Sequence, residues 1–330
     1  MKGSVFVTGG AGYVGSHCCK AFSRAGHDVT VYDNLSRGWR DFVKWGPLVE
    51  GDILDTPALT RALKAARPDA VAHFAAVAYI AESNEQPGLY YRINVAGTLS
   101  LLEAMREAGV RRLVFSSSCA TYGVQPGTIT EETPQNPINP YGASKLMAER
   151  IIRDFGAAYG IESVILRYFN AGGGDPDLEI GERHEPEPHV IPLALKGARD
   201  PNFTFTINGD DFATPDGTCV RDYVHVNDLA SAHLKAIEHM AAGKGSGIFN
   251  LSTGKGASVR ELIAAAEAAS GGRMNTRISA RRPGDPPILI ADPAKAARVL
   301  GWSAQRSDIA TILKDAIAWM DLESRNKAAR

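Results

Sequence analysis

Cysteine is scarce in this sequence and follows no functional pattern. The four cysteines, Cys18, Cys19, Cys119 and Cys219, form no Cys-x-x-Cys pair and no spacing typical of zinc ligands. Scattered cysteines of this kind are expected to be thiols in the core or near a site. The sequence therefore predicts reduced cysteines in a cytosolic protein, and it predicts no metal site.

Charge of one sign and long apolar runs are also missing. The 330 residues include 36 basic and 37 acidic side chains, for a net charge of -1, so no electrostatic field recruits nucleic acid or an anionic membrane. No apolar run reaches the ~20 residues of a membrane helix. Residues 1–5 lead into a strand-like segment without the features of a signal peptide. We expect a cytoplasmic protein that binds neither nucleic acid nor membrane.

Strands and helices alternate through the first half of the chain. Apolar, β-branched runs predict strands, and amphipathic runs predict helices. The predicted strands are 5–8, 28–32, 47–51, 70–74, 112–115 and 161–166. Helices are predicted between them, including one at about 87–109 and one that starts at Thr56-Pro57 with the threonine hydroxyl as its cap. This repeated pattern predicts an α/β fold with a doubly wound parallel sheet.

A glycine-rich turn follows the first predicted strand. Gly9, Gly12 and Gly15 are spaced Gly-x-x-Gly-x-x-Gly and precede an amphipathic segment that ends near Gly26. Such glycines let the backbone turn tightly and approach a pyrophosphate, whose charge is stabilised at the amino terminus of the helix. The pattern is a variant of the Rossmann dinucleotide-binding fingerprint and points to its short-chain dehydrogenase branch.

An acidic residue at the end of the second predicted strand selects the dinucleotide. Asp33 lies 24 residues after Gly9, where a carboxylate can bind ribose hydroxyls and would repel a 2′-phosphate. NAD is therefore favoured over NADP, and Arg37 is interpreted as a loop charge. The small residues from Ala75 to Ala78 follow another strand and leave space for a flat cofactor.

The second half of the chain departs from the alternating pattern and then returns to it. After a polar loop to residue 188 we expect a helix at 189–199, strands at 203–207 and 219–222, a helix at 227–240 and a strand at 248–251. Ser258 and Glu261 form a predicted capping box, and Asp292-Pro293 a further helix start. Residues 1–170 with about 225–255 are predicted to form an NAD-binding Rossmann domain. Most of 171–330 would form a smaller mixed α/β substrate lobe over the carboxyl ends of the strands.

Tyr141 and Lys145 carry the catalytic hypothesis. They lie four residues apart after Asn139-Pro140, so both would face one side of a helix that begins at the proline. The spacing alone is common in amphipathic helices, so the surrounding motifs must decide whether the pair is catalytic. A neighbouring ammonium would lower the tyrosine pKa from about 10. The tyrosine could then take a proton from an alcohol while hydride leaves.

With the glycine turn, Asp33, Ser118 at a strand end, and Tyr141 with Lys145 in this order, the chain resembles the extended short-chain dehydrogenase/reductase superfamily. Within it, the chain is similar to the UDP-glucose (UDP-galactose) 4-epimerase family. The matching segments are 9–17, 73–83, 116–123, 139–145, 166–170, 216–228 and 281–285. The resemblance implies an NAD-dependent isomerase of carbohydrate and galactose metabolism that acts through a transient 4-keto sugar. It also implies a homodimer formed by the helices near residues 87 and 141.

The resemblance assigns a role to each candidate site residue. Tyr141 would be the base, Lys145 would hold the nicotinamide ribose, and Ser118 would bind the reacting sugar oxygen. The other implied cofactor contacts are Gly9, Gly12, Tyr13, Val14, Gly15, Asp33, Asn34, Asp52, Ile53, Phe74, Ala75, Ala76, Ala78, Asn94, Ser116 and Phe169. The other implied UDP-sugar contacts are Asn170, His189, Val190, Thr206, Asn208, Arg221, Tyr223, Arg282, Asp285 and Leu289. Arginines suit a pyrophosphate because they are bidentate, permanently charged donors.

The chain departs from the family pattern at a few positions. Ala78 stands where some members have a lysine near the nicotinamide, and His189 stands where some have an asparagine over the diphosphate. A histidine there could still donate a hydrogen bond. Leu289 stands where a tyrosine flanks the hexose in other members. Its smaller side chain suggests the hypothesis that N-acetylated sugars are admitted.

Other functions on the same fold stay open. UDP-arabinose (UDP-xylose) 4-epimerases are similar in runs 73–79 and 118–123, so a pentose substrate or dual specificity is one alternative. Nucleotide-sugar dehydratases need a further acid/base pair, whereas Cys119-Ala-Thr-Tyr122 follows Ser118 here. A dehydratase or a UDP-glucuronate decarboxylase is therefore a minor alternative. A non-catalytic NAD-binding regulator is another, and such proteins often lack the Tyr141/Lys145 pair.

Overall fold

The structure of the chain is a computed structural model that describes residues 2–282 and 285–328. Residues 283 and 284, inside the loop predicted at 281–285, lie outside the described residues, as do 1, 329 and 330. The strands are β1 (Ser4–Thr8), β2 (Asp28–Asp33), β3 (Leu48–Glu50), β4 (Ala70–His73), β5 (Arg112–Ser118), β6 (Glu162–Tyr168), β7 (Asn170–Gly172), β8 (Thr204–Asn208), β9 (Val220–Arg221), β10 (Tyr223–His225), β11 (Gly247–Leu251), β12 (Ala257–Ser258), β13 (Asn275–Ser279) and β14 (Ile288–Leu289). The α-helices are α1 (Tyr13–Arg24), α2 (Thr56–Ala66), α3 (Ile80–Glu85), α4 (Pro87–Tyr90), α5 (Gly97–Ala108), α6 (Pro140–Tyr159), α7 (Val190–Arg199), α8 (Val226–Ala241), α9 (Val259–Ser270) and α10 (Ile309–Ala328). A π-helical segment (Tyr91–Ala96) joins α4 to α5.

Seven strands form the central sheet in the order β11-β6-β5-β4-β1-β2-β3. Every neighbouring pair in it is parallel. The inner strands are apolar on both faces, as in Val5, Phe6 and Val7 of β1, which are at most 2% exposed. Such strands are typical of a parallel sheet that helices cover on both sides. The predicted α/β fold with a doubly wound parallel sheet is confirmed.

Helices cover both faces of this sheet. On one face, α1 and α8 contribute Cys18, Phe22 and Leu229 to the core. On the other face, α2 and α5 contribute Leu63 and Leu101. The strand order reverses between β1 and β4, and in open α/β sheets ligands bind in the crevice at the carboxyl ends of the strands beside such a reversal.

The carboxyl-terminal half builds a second, smaller body of short strands and helices. β8 pairs with β13, β12-β9-β14 form a three-stranded sheet, and β7 pairs with β10. Ile191, Leu195, Phe205, Leu262 and Ile312 form its core with their neighbours. β11 leaves this lobe and pairs in parallel with β6 of the central sheet. No described helix is long and apolar enough to cross a bilayer. The domain boundary at residue 170 stays a prediction.

Some local predictions are wrong. The cap of α2 is Asp55, whose carboxylate accepts a hydrogen bond from the amide of Ala58 at 2.9 Å. The predicted cap, Thr56, instead shares a hydrogen bond with the hydroxyl of Ser100 at 2.9 Å. The strand predicted to end at residue 115 continues through Ser118. The long helix α10 has no counterpart among the predicted elements. The capping box at the start of α9 is confirmed.

Candidate active site

A cavity of about 900 Å³ lies at the carboxyl ends of the central strands and reaches the smaller lobe. Of the predicted cofactor residues, it is lined by Gly9, Gly12, Tyr13, Val14, Gly15, Asp33, Asn34, Ile53, Phe74, Ala75, Ala76, Ala78, Ser116, Tyr141, Lys145 and Phe169. Of the predicted substrate residues, it is lined by Ser118, Tyr141, Asn170, His189, Val190, Arg221, Arg282, Asp285 and Leu289. One cavity therefore joins the glycine turn to most of the predicted sugar-nucleotide residues.

Two predicted cofactor residues, Asp52 and Asn94, are not among the described lining of the cavity. The Asp52 carboxylate accepts a hydrogen bond from the side chain of Asn34, a lining residue, at 3.1 Å. Asn94 is buried, and its side chain accepts from the amide of Val77 at 2.9 Å and donates to Ser144 at 2.9 Å. Both side chains are placed to support lining residues, and their direct contact with a cofactor stays a prediction.

Three predicted substrate residues lie in the smaller lobe, away from the described lining of the cavity. On β8, Thr206 and Asn208 accept hydrogen bonds from Arg277 and Ser279. Tyr223 is 3% exposed and belongs to the hydrophobic core of the lobe. Tyr223 follows Arg221 by two residues, a spacing that predicts a shared strand face. This prediction is wrong, because the chain passes from β9 to β10 at the residue between them.

The structure explains the three glycines of the turn in different ways. Gly9 has a positive φ of 77°, and a Cβ on Gly15 would collide with the carbonyl oxygen of Gly9. Gly12 has an extended conformation open to any residue, and a Cβ there would meet only the Gly9 oxygen, at 3.4 Å. Because Gly12 lines the cavity, a side chain there would occupy space in front of the amino terminus of α1. The fold requires Gly9 and Gly15, and close approach of a ligand explains Gly12.

Asp33 holds the glycine turn with both of its carboxylate oxygens. One accepts from the amide of Ala11 at 3.0 Å and the other from the amide of Leu35 at 2.8 Å. Burial raises the pKa of Asp33, while these two hydrogen bonds oppose the shift. Arg37, interpreted from the sequence as a loop charge, is instead paired with Glu82 at 2.6 Å. This pair leaves the guanidinium less free to bind a 2′-phosphate.

Tyr141 lies in the first turn of α6. Pro140 is the first residue of this helix, as the sequence predicts. The Asn139 side chain caps the helix by accepting a hydrogen bond from the amide of Gly142 at 2.8 Å. The Tyr141 side chain lines the cavity and packs at a right angle to the ring of Tyr90. The cap and the proline therefore fix the point at which the phenol enters the site.

The environment of Tyr141 corrects the predicted effect of Lys145. Burial raises the pKa of the Tyr141 phenol to about 12, although a hydrogen bond with Ser118 lowers it. The Lys145 ammonium donates to the carbonyl oxygen of Ser116 at 2.8 Å and lies over the Phe115 ring. Burial lowers the pKa of Lys145 to about 8, against an opposing effect of Glu149. The expected lowering of the tyrosine pKa by Lys145 is wrong for this geometry, because burial raises the pKa of Tyr141 and the ammonium is hydrogen-bonded to the Ser116 carbonyl.

A buried ion pair anchors the same helix to the sheet. The Glu149 carboxylate on α6 pairs with the Arg167 guanidinium on β6 at 2.6 Å, and both side chains are at most 2% exposed. Ser117 on β5 donates to Glu149 at 2.5 Å, and Arg167 donates to the hydroxyl of Tyr122 at 2.8 Å. Satisfied buried networks fix one arrangement of their elements, so β5, β6 and α6 hold a constant spacing beneath the site.

Two arginines and an aspartate face the cavity from the smaller lobe. The Arg221 guanidinium donates to the carbonyl oxygen of Pro286 at 2.8 Å and lies 3.5 Å from the Asp285 carboxylate. Arg282 donates to the other oxygen of Asp285 at 2.9 Å. Asp285 therefore orients both guanidinium groups, which together still carry a net positive charge toward the cavity.

Sequence reasoning missed a cluster of titratable side chains in the wall of the cavity. Glu182, His184 and His189 line it, and Glu187 completes the cluster. Burial lowers the pKa of His189, but the carboxylates of Glu182 and Glu187 outweigh this effect and raise it to about 10. The sequence signal was the alternation of glutamate and histidine between 182 and 189, in a segment interpreted only as a polar loop.

Comparison with known proteins identifies relatives whose activity fits a site of this kind. The profile of the NAD dependent epimerase/dehydratase family matches residues 5–252. A UDP-glucose 4-epimerase of Rhizobium meliloti (strain 1021) is 46% identical over 320 residues, which cover 97% of each protein. The crystal structure of UDP-glucose 4-epimerase from Brucella ovis in complex with NAD has a TM-score of 0.93 and 49% identity, covering 96% of this chain and 98% of that one.

A third relative binds a different sugar nucleotide. The UDP-glucose-4-epimerase from Stenotrophomonas maltophila, crystallised with bound NAD and formylated UDP-arabinopyranose, has a TM-score of 0.94 and 38% identity, covering 98% of this chain and 99% of that one. The chain belongs to the NAD dependent epimerase/dehydratase family. Within that family it is one of the UDP-glucose 4-epimerases, which are NAD-dependent isomerases.

Proposed function

We propose that the chain interconverts UDP-glucose and UDP-galactose by inverting carbon 4 of the hexose. The observation that carries this proposal is the single cavity that joins the glycine turn, the Tyr141–Ser118 pair, and Arg221 with Arg282. NAD suits the glycine turn, since Gly12 keeps clear a space that the fold itself does not require. Gly12, Asp33 and Lys145 line the part of the cavity that would hold NAD, and bound NAD would supply the redox chemistry by accepting hydride from carbon 4 and donating it back to the opposite face.

Tyr141 and Ser118 handle the proton of the 4-hydroxyl group. Ser118 accepts a hydrogen bond from the amide of Ala120 at 3.1 Å, which orients its hydroxyl. Burial raises the phenol pKa of Tyr141, and the hydrogen bond with Ser118 opposes this rise by stabilising the ionised form. Tyr141 then removes the hydroxyl proton as the ketone forms and returns it when the alcohol re-forms. Lys145, fixed by the Ser116 carbonyl, is positioned to hold the ribose next to the nicotinamide.

The two ends of the sugar nucleotide need different kinds of contact with the protein. The diphosphate is held by the Arg221 and Arg282 guanidinium groups and by the amino terminus of α7 at His189 and Val190. The sugar instead faces Phe169 and Leu289, which offer no strong hydrogen bonds. The 4-keto intermediate can therefore turn over while the nucleotide stays bound.

The residues after Ser118 favour epimerisation over dehydration. A dehydratase needs another acid/base group near the sugar, and burial raises the pKa of Cys119 to about 12, so its thiol transfers no proton at neutral pH. A UDP-pentose is a second candidate substrate, supported by the UDP-arabinopyranose derivative in the Stenotrophomonas relative. UDP-N-acetylhexosamine is a third, and the small Leu289 side chain at the cavity wall supports it.

The helices next to the site support a homodimer. Tyr91 and Leu99, in the segment from α4 to α5, are each 37% exposed, and Met147 and Tyr159 of α6 are 46% and 44% exposed. Large exposed apolar side chains on neighbouring helices often mark an interface. We place this assembly in the cytoplasm, in line with the four unpaired cysteines.

Turnover of UDP-galactose to UDP-glucose without added oxidant tests the proposal. The Tyr141→Phe variant should lose about 1,000-fold in kcat while it keeps its bound NAD, because only the base is removed. Tyr159→Phe is the matched control, since it removes an exposed hydroxyl from the same helix and should leave kcat unchanged. Parallel assays with UDP-arabinose and UDP-N-acetylgalactosamine rank the sugars. Wild-type protein that holds NAD but converts none of these substrates would rule the function out.

A further inference from the structure

Four side chains converge in the segment that leads into α7. One ligand atom from each of Glu182, His184, Glu187 and His189 lies within 4.8 Å of all the others. The Nδ1 atom of His184 is 3.5 Å from Glu182 and 3.4 Å from Glu187. The Nδ1 atom of His189 is 3.0 Å from Glu182 and 2.8 Å from Glu187. Both imidazoles therefore point a nitrogen at the same two carboxylates.

These separations fit the coordination of a small ion. Ligand atoms placed tetrahedrally at about 2.0–2.1 Å from Zn²⁺ are about 3.3 Å apart, and the nitrogen to oxygen distances here range from 2.8 to 3.5 Å. Two nitrogens and two carboxylate oxygens suit Zn²⁺ and related ions, whereas Mg²⁺ and Ca²⁺ prefer oxygen alone. We propose that Glu182, His184, Glu187 and His189 bind a divalent transition-metal ion of the Zn²⁺ type.

A second observation points to a ligand at this place. The Glu182 side chain is 6% exposed, and its Oε2 atom is buried with no hydrogen-bond partner in the part of the chain that the structure describes. Leaving a buried carboxylate oxygen without a partner is unfavourable, because its desolvation is not compensated. The other oxygen of this carboxylate, Oε1, faces the two imidazoles, so a metal ion bound by both oxygens of Glu182 would supply the missing partner and would also cancel the charge of the two carboxylates.

Another acidic cluster shows what a cluster with its own cation looks like. Asp175, Asp177 and Glu179 also lie close together, but the Lys20 ammonium lies 2.5, 2.8 and 2.6 Å from them. No lysine or arginine pairs with the glutamates of the Glu182 cluster among the described residues. Their partners are imidazoles, which can bind either a proton or a metal ion.

The rings of the cluster are held by aromatic neighbours. Tyr79 packs edge to face against both His184 and His189, with centroids 5.9 and 5.6 Å away, and Tyr13 does the same to His184 at 6.1 Å. The Glu187 carboxylate also accepts from the amide of His189 at 2.9 Å. A bound ion would therefore fix the wall of the cavity at the amino terminus of α7.

Metal binding by the full-length protein tests the proposal. After chelator treatment and dialysis, wild type should take up one Zn²⁺ per chain with a Kd of about 1 μM or tighter by calorimetry and elemental analysis. Co²⁺ should bind with the strong visible absorption of a tetrahedral site. Glu182→Gln and His184→Gln should each weaken Zn²⁺ binding by about 100-fold, since each removes a ligand.

Glu185→Gln is the matched control. Glu185 lies in the same loop, but its side chain is 64% exposed and 3.7 Å from Lys327, so this variant should bind Zn²⁺ as wild type does. Thermal unfolding identifies any variant that fails to fold. If either Glu182→Gln or His184→Gln does not fold, Zn²⁺ binding by the other variant tests the proposal. Absence of stoichiometric Zn²⁺ from wild type would overturn the proposal and leave protons on the imidazoles as the counter-charge. Equal binding by wild type and a folded ligand variant would overturn it as well.

Discussion

The two ends of the cavity are built in different ways. At the dinucleotide end, the backbone does most of the positioning: Gly9 and Gly15 shape the turn, and Asp33 binds two backbone amides. At the sugar-nucleotide end, charged side chains position one another, as when Asp285 orients Arg221 and Arg282. Backbone geometry follows from local sequence, whereas the pairing of charges depends on the folded lobe. The first end should therefore respond to steric changes and the second to changes of charge.

The largest expected effect separates the two kinds of glycine at the dinucleotide end. Gly15→Ala should lower the free energy of unfolding by about 3 kcal/mol, because its Cβ would collide with the carbonyl oxygen of Gly9. Gly12→Ala should change it by less than about 1 kcal/mol, since its backbone suits alanine, but it should lose most of its bound NAD. Urea unfolding and the NAD content of the purified proteins check both results.

Gly127→Ala serves as the control for this pair. Gly127 is exposed, and a Cβ there would meet no atom within 4 Å, so neither stability nor NAD content should change. If Gly12→Ala lowers the free energy of unfolding as much as Gly15→Ala does, then the fold requires glycine at both positions. The explanation of Gly12 by the close approach of a ligand would then be incorrect.

The sequence predicted the features that local rules determine. The start of α6 followed from Pro140, because a first-turn proline acts within a few residues. The parallel sheet followed from apolar runs that alternate with amphipathic ones. The cap of α2 was missed, although it is local, because Asp55 and Thr56 are both good caps and adjacent.

Features that depend on tertiary packing were not predicted correctly. The pKa of Tyr141 is set mainly by burial, which residue spacing does not report. The Glu182 cluster was missed because a charged, proline-bearing loop is normally solvated, whereas here Glu182 and His184 are turned into the cavity wall. The resemblance assigned Tyr223 to the substrate together with Arg221, but the strand changes between these two residues and Tyr223 lies in the core of the smaller lobe.

Buried histidines beneath the dinucleotide end predict an acid-sensitive stability. Burial lowers the pKa of His17 to about 4, of His73 to about 3 and of His233 to about 4. The unfolded chain binds protons near pH 6.5, whereas the folded protein keeps these imidazoles neutral. Their contribution is fully present above pH 6.5, and stability should fall as the pH drops from there toward 4. Each histidine contributes about 1.4 kcal/mol per pH unit.

Replacement of one of these histidines isolates its contribution to the pH dependence of the free energy of unfolding. His233 packs against Phe74 and Tyr168, so His233→Leu should shift the free energy of unfolding by a constant at pH 7.5–8.5. Between pH 6 and 4.5 its slope against pH should be about 1.4 kcal/mol per unit shallower than that of wild type. Urea unfolding across this range provides both numbers. Parallel curves for the two proteins would mean that His233 has the same pKa in the folded and the unfolded protein. The conclusion that burial keeps this imidazole neutral in the folded protein would then be incorrect.

The smallest expected effect concerns a charged pair at the dinucleotide end. Glu82 holds Arg37 at 2.6 Å and also accepts from the hydroxyl of Tyr90 at 2.7 Å. Glu82→Gln should free the guanidinium to meet a 2′-phosphate, so the affinity for NADP⁺ relative to NAD⁺ should rise about five-fold, which corresponds to about 1 kcal/mol. Competition of each nucleotide for the site measures this ratio. In the double variant Glu82→Gln/Arg37→Gln the gain should disappear, because the freed charge is its cause. A gain that persists in the double variant would assign it to the lost charge of Glu82 rather than to a freed Arg37, and the pairing of these two side chains would then not control selectivity.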